Sequence, residues 1–196
     1  CGPTPPPTCS NGATNPASCS LFHPTNTLSA SPSIIDQGQS STLSWNSTDA
    51  TSCLGTGFTA GGPSGSRSTG TLSSPGTSTY QVICSGAGGS ASPAFASVLV
   101  LAPSATISAS PLRVAAAPNN TTTLTWNANG VASCSVTGPG VNVRGAANAG
   151  HAFSTGSPDP VSVSTQSTFT ITCTTVGGNQ VTSSVVVNVG AVFHEF

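Results

Sequence analysis

The sequence predicts an all-β protein: two tandem two-sheet sandwiches behind an extended, Pro-rich N-terminal arm. Three observations carry this. The chain repeats itself, because Leu28-Ser-Ala-Ser-Pro32, Leu43-Ser-Trp45, Cys53 and Tyr80-Gln-Val-Ile-Cys84 return as Ile107-Ser-Ala-Ser-Pro111, Leu124-Thr-Trp126, Cys134 and Phe169-Thr-Ile-Thr-Cys173. Trp precedes the first Cys by eight positions in both copies, and an aromatic residue precedes the second Cys by four. A period of about 80 residues signals two domains of one fold. Second, apolar residues alternate with polar ones, the period of half-buried strands, and no stretch carries a helical period. Third, Gly/Ser/Pro clusters punctuate the alternating runs as turns.

Residues 1–26 precede the repeat. Cys1-Gly-Pro-Thr-Pro-Pro-Pro-Thr-Cys9 should be extended and polyproline-like, since consecutive prolines set φ and forbid a helix. Cys9 and Cys19 are expected to close a small loop there. The first domain, residues 27–102, alternates at Leu43/Trp45, Tyr80/Val82/Cys84 and Phe95/Ser97/Leu99/Leu101, with turns at Gly61-Gly-Pro-Ser-Gly65 and Gly86-Ala-Gly-Gly89. The second, residues 103–190, repeats this at Leu124/Trp126, Phe169/Ile171/Cys173 and Val185/Val187/Val189, with turns at Gly138-Pro-Gly140 and Gly177-Gly-Asn179. Each copy reads as about seven short strands, enough for a sandwich. Leu101-Ala-Pro-Ser104 connects the copies, and an apolar tail, residues 191–196, follows.

Composition excludes several function classes. Charged residues make up 4% of the chain, against roughly 25% in ordinary soluble domains. Lys is absent, and the net charge of −1 gives no reach towards nucleic acid or anionic lipid. Ser and Thr number 61, so solubility rests on hydroxyls. Near-zero charge favours association, which suits a protein meant to assemble or one coated with sugar. Met is absent, which fits a processed chain or part of a longer precursor. No apolar run approaches the ~20 residues of a membrane span. Seven Cys without a C-x-x-C knuckle argue for disulfides and an oxidising compartment rather than a metal site.

The copies resemble bacterial immunoglobulin-like repeats, which occur in tandem on large secreted and cell-surface proteins. The matching pieces are Ser-Ala-Ser-Pro, Gly38-Gln-Ser-Ser-Thr-Leu-Ser-Trp45, Asn46-Ser-Thr-Asp-Ala-Thr-Ser-Cys53 and Thr79-Tyr-Gln-Val-Ile-Cys84-Ser-Gly-Ala-Gly-Gly-Ser90. The likeness covers residues 27–101 well and 105–189 more loosely, for the middle of the second copy is about eight residues longer. It implies a fold and an extracellular setting, not an activity. Members serve as spacers, adhesin stalks and fibre modules.

Antibody-like domains place their Cys on strands B and F and their Trp on C. Here the resemblance puts Trp45 and Trp126 at the strand-B position and the first Cys of each copy on strand C. C and F are neighbours in one sheet. The resemblance therefore implies that Cys53–Cys84 and Cys134–Cys173 staple within a sheet, while the indole fills the space between sheets. Trp45, Trp126, Tyr80 and Phe169 are expected core residues, each Trp sharing its strand phase with Leu43 or Leu124.

No catalytic, metal or cofactor constellation emerges. Gly55-Thr-Gly57-Phe-Thr-Ala60 matches a relaxed dinucleotide fingerprint, but the turn Gly61-Gly62-Pro63 follows where a helix is needed. His151 and Asp159 with a Ser lack a G-x-S-x-G elbow, and His23 and His194 lie in the tails. The acids Asp36, Asp49, Asp159 and Glu195 are too scattered for a glycosidase pair or a calcium site. The expectation is a protein that is not an enzyme. Asn46, Asn119 and Asn120 begin N-glycosylation sequons, and the Ser/Thr/Pro-rich stretches are compatible with O-linked sugar.

Cys1 has three readings: a lipid-bearing residue, since a chain opening Cys-Gly resembles a mature bacterial lipoprotein, an intermolecular disulfide, or a partner of Cys9 or Cys19. Leu21 and Phe22 in one tail and Val192, Phe193 and Phe196 in the other are unusual residues to leave in water. They are expected to contact a neighbouring subunit. Copies that hold each other's tails form an open, heterologous assembly. The expected function is thus a structural subunit of an extracellular filament or pilus-like fibre, its partners copies of itself. The alternative is an adhesin or carbohydrate-binding stalk module of a cell-surface protein.

Overall fold

The computed structural model describes residues 22–148, 151–156 and 160–190. They form two compact units that divide between Val100 and Leu101. Strands and turns make up both, without a helix among the described residues.

The first unit contains β1 (Thr25–Ser31), β2 (Ile34–Asp36), β3 (Thr42–Thr48), β4 (Ser52–Thr56), β5 (Ser64–Ser68), β6 (Gly76–Gly86), β7 (Gly89–Ser90) and β8 (Ala94–Leu101). One sheet has the order β1-β3-β5, the other β2-β8-β6-β4, and β7 pairs with β6. β7 and β8 act as one strand interrupted around Pro93, whose ring nitrogen cannot donate to the ladder. The sheets face each other as an immunoglobulin-like sandwich. β1 begins at Thr25, two residues inside the segment read from sequence as an arm. Phe22 is 43% exposed, and its carbonyl lies against Gly88 in the β6–β7 turn of its own unit.

The second unit contains β9 (Ser104–Ser110), β10 (Arg113–Val114), β11 (Thr121–Asn129), β12 (Val131–Gly138), β13 (Val141–Ala146), β14 (Ala152–Gly156), β15 (Val161–Ser162), β16 (Ser167–Thr175) and β17 (Gln180–Val189). In one sheet β11 pairs with β9, β14 and β15; the other has the order β10-β17-β16-β12-β13. The longer middle of this copy is now explained. It supplies β13, which folds back through the Gly138–Gly140 turn and adds a fifth strand beside β12.

The first strand of each unit leaves one sheet for the other at a repeat-equivalent cis Ser-Pro bond, Ser31–Pro32 and Ser110–Pro111. A buried hydroxyl holds each corner: Ser41 Oγ donates to the Pro32 carbonyl at 2.7 Å, and Thr122 Oγ1 to that of Pro111 at 2.8 Å. Burying these hydroxyls would be costly without that bond. The Ser-Ala-Ser-Pro repeat is therefore a corner, not a site.

Two sequence expectations need correcting. The alternation Phe95/Ser97/Leu99/Leu101 predicts that this phase faces the core, but Val98 and Val100 point inward and Phe95 lies in water. Both faces of β8 are apolar, so its phase is set by pairing with β6 rather than by its own pattern. The cluster Gly61–Gly65 predicts a turn, yet Gly65 lies in β5 opposite Trp45. A Cβ there would come within 2.6 Å of the indole, so glycine makes room for the ring.

Candidate functional site

The repeated Trp and Cys, expected from the sequence as structural residues, build the cores. β4 and β6 set Cys53 opposite Cys84, and β12 and β16 set Cys134 opposite Cys173. Each pair is disulfide-bonded within one sheet, with Cα atoms 4.0 Å apart. Trp45, Tyr80, Trp126 and Phe169 are buried, which removes both indoles as flat platforms for sugar. Trp45 lies 5.5 Å from the Phe58 ring, which in turn meets Tyr80 edge-on. The Trp45 Nε1–H donates to the Gly62 carbonyl at 3.1 Å. The buried Nε1 of Trp126 has no such partner among the described residues.

The titratable groups do not converge. His151 sits in the turn before β14 at φ 59°, where its carbonyl accepts from Val131 N–H at 3.0 Å. That is a backbone role. Asp36 is buried at the end of β2, where its carbonyl accepts from Gln39 N–H and its own N–H donates to Gln39 Oε1. Among the described residues no three of His, Cys, Asp and Glu come together as metal ligands. No helix there is long and apolar enough to cross a membrane. The Gly55–Ala60 segment ends β4 and turns Phe58 into the core, so it presents no helix N-terminus to a phosphate. Cys1, Cys9, Cys19, Leu21, Asp159, Val192, Phe193, His194, Glu195 and Phe196 lie outside the described residues.

Of the sequons, Asn46 is held in β3 between β1 and β5. Asn120 is followed by Thr122, whose hydroxyl is buried at the Pro111 corner. Asn119 is exposed on the turn before β11, and Thr121 beside it is exposed too.

What remains is surface, and it differs between the units. In the first, the outer face of the β2-β8-β6-β4 sheet carries an apolar band. Leu54 is 73% exposed and stands opposite Ile83; Phe95 is 62% exposed and stands opposite Gln81, diagonal to Ile83. These are the side chains sequence reasoning missed. The signal was Ser97, a hydroxyl in the phase of Phe95 beside an unbroken Val98/Val100 phase. In the second unit the corresponding face is mostly polar, with Val186 its exposed apolar residue and a shallow hollow lined by Ser133, Ser135, Arg144, Thr172, Thr174 and Gln180.

No protein-family model matches this sequence, and a comparison with curated proteins finds no match. Solved structures similar to the chain include a tetra-tandem repeat from the extending region of a large adhesion protein, at 18% identity, TM-score 0.39, covering 83% of this chain and 48% of that one. Another is a 1.5-MDa bacterial ice-binding adhesin, at 18% identity and TM-score 0.41, covering 86% and 65%. A third is immunoglobulin domains 1–4 of Sidekick-1, at 13% identity and TM-score 0.45, covering 87% and 48%. The chain thus spans about half the length of the first of these structures.

Proposed function

We propose that this chain is a structural subunit of an extracellular fibre that assembles from copies of itself, head to tail, through its terminal segments. One observation carries the reading: of the edge strands described in the first unit, β2 carries Asp36 and β5 carries Arg67, but the other two are unguarded. β1 and β4 are edge strands, and neither contains a charged residue or a proline. Natural sandwiches that must stay single usually blunt such edges with Lys, Pro or a covering loop. The two intrachain disulfides support an oxidising, extracellular setting.

The reading is tested by electron microscopy of the native material and of the purified chain. Fibres with a repeat of one chain per step are expected. Single particles at every concentration would overturn it. A second reading, a stalk or carbohydrate-binding module of a surface protein, draws on the hydroxyl-lined hollow with Arg144 on the second unit. Glycan binding lost on Arg144→Ala, without fibres, would favour that reading.

A further inference from the structure

The two copies of the fold treat one sheet edge differently. In the second unit β12 carries β13 on its outer side, with Gly145 opposite Cys134. In the first, the equivalent strand β4 pairs with β6 alone among the described strands. The disulfide partners show what this leaves open. Cys53 and Cys84 stand 4.0 Å apart at Cα, the close spacing of a non-hydrogen-bonded antiparallel pair. The Cys84 carbonyl accordingly points the other way, accepting from Ala91 N–H at 2.8 Å. The N–H and C=O of Cys53 therefore face away from β6, off the sheet edge. In the second unit the same groups of Cys134 face β13. The apolar band of Leu54, Ile83 and Phe95 adjoins this edge, and β4 brings no charge to it.

We infer that the β4 edge of the first unit accepts a strand from a second copy of the chain, and that the strand is residues 191–196. This rests on the fibre reading and names its contact. Length supports the choice. The strand that fills this position in the second unit, β13, is six residues long. Six extended residues reach about 20 Å, enough to run the five residues of β4. Chemistry supports it as well. Ala191-Val-Phe-His-Glu-Phe196 has no proline to interrupt a ladder, and either strand phase places a Phe on the face that Leu54 occupies. Donor segment and acceptor edge belong to different units, so the contact is heterologous and leaves each copy with one edge still to fill, which propagates.

The test uses the full chain in three variants. Leu54→Lys charges the acceptor, Phe193→Lys with Phe196→Lys charges the donor, and Leu112→Lys charges an exposed leucine of the second unit as control. Leu54 is mostly in water, so its variant keeps the core, checked by near-ultraviolet circular dichroism. A fluorescent peptide of residues 191–196 is titrated onto wild type and Leu54→Lys. Loss of assembly in the acceptor and donor variants but not in the control, with peptide affinity at least tenfold weaker on Leu54→Lys, is the expected result. Peptide that binds both proteins equally, or neither, overturns the pairing. Fibres that persist in both the acceptor and donor variants overturn it while leaving the fibre reading in place. Wild type that stays single but binds peptide through Leu54 supports the pairing and removes the fibre reading instead.

Discussion

At the scale of single residues, the side chains that stand out in the sequence are internal fittings. Trp45 illustrates how closely they fit. The indole leaves β3 for the core, lies over Gly65 of the neighbouring β5, meets Phe58 at a tilt and donates to the Gly62 carbonyl, so β5 must present a hydrogen at position 65. Gly65→Ala should therefore overpack the first unit and cost about 1–3 kcal/mol. Gly61→Ala, where an added Cβ meets nothing within 4 Å, should cost little. Urea unfolding followed by Trp45 emission distinguishes the two. Equal stability of both variants would show that the ring has room the structure does not give it.

At the scale of elements, each disulfide joins neighbouring strands of one sheet and spans 31 residues in the first unit and 39 in the second. Closing loops of that length contributes about 3–4 kcal/mol in the chain-entropy model. The first unit depends on it more, because its buried side chains form two small clusters where the second unit has one continuous core. Cys53→Ala with Cys84→Ala should lower the first unit's denaturation midpoint further than Cys134→Ala with Cys173→Ala lowers the second's. Chemical denaturation with each unit's own Trp as reporter measures both. A larger loss in the second unit would contradict the packing argument.

For the whole molecule, three Arg and four acids leave little for electrostatics to do. Association through an uncharged edge and an apolar band should persist as salt rises from 0.1 M to 1 M, although the screening length falls from about 10 Å to about 3 Å. Sedimentation velocity across that range is the measurement. Dissociation at high salt would point instead to contacts through Arg67, Arg113 or Arg144.

The repeat, the all-β class and the inward Trp and Cys could be read from sequence because each rests on local rules, a two-residue period and a fixed spacing, whereas the corner at Ser-Ala-Ser-Pro appeared only in the fold. Composition likewise spoke against nucleic acid and against a membrane-spanning helix. What the sequence could not decide was phase and neighbourhood. β8 is apolar on both faces, and only its pairing with β6 turned Val98 inward and Phe95 out. Gly65 looked like a turn until Trp45 was seen opposite it. The eight-residue excess of the second copy was a length without a meaning until it appeared as β13 on the edge of β12. An open edge is a property of what is not beside a strand, and that is settled by the fold around it rather than by the strand's own residues.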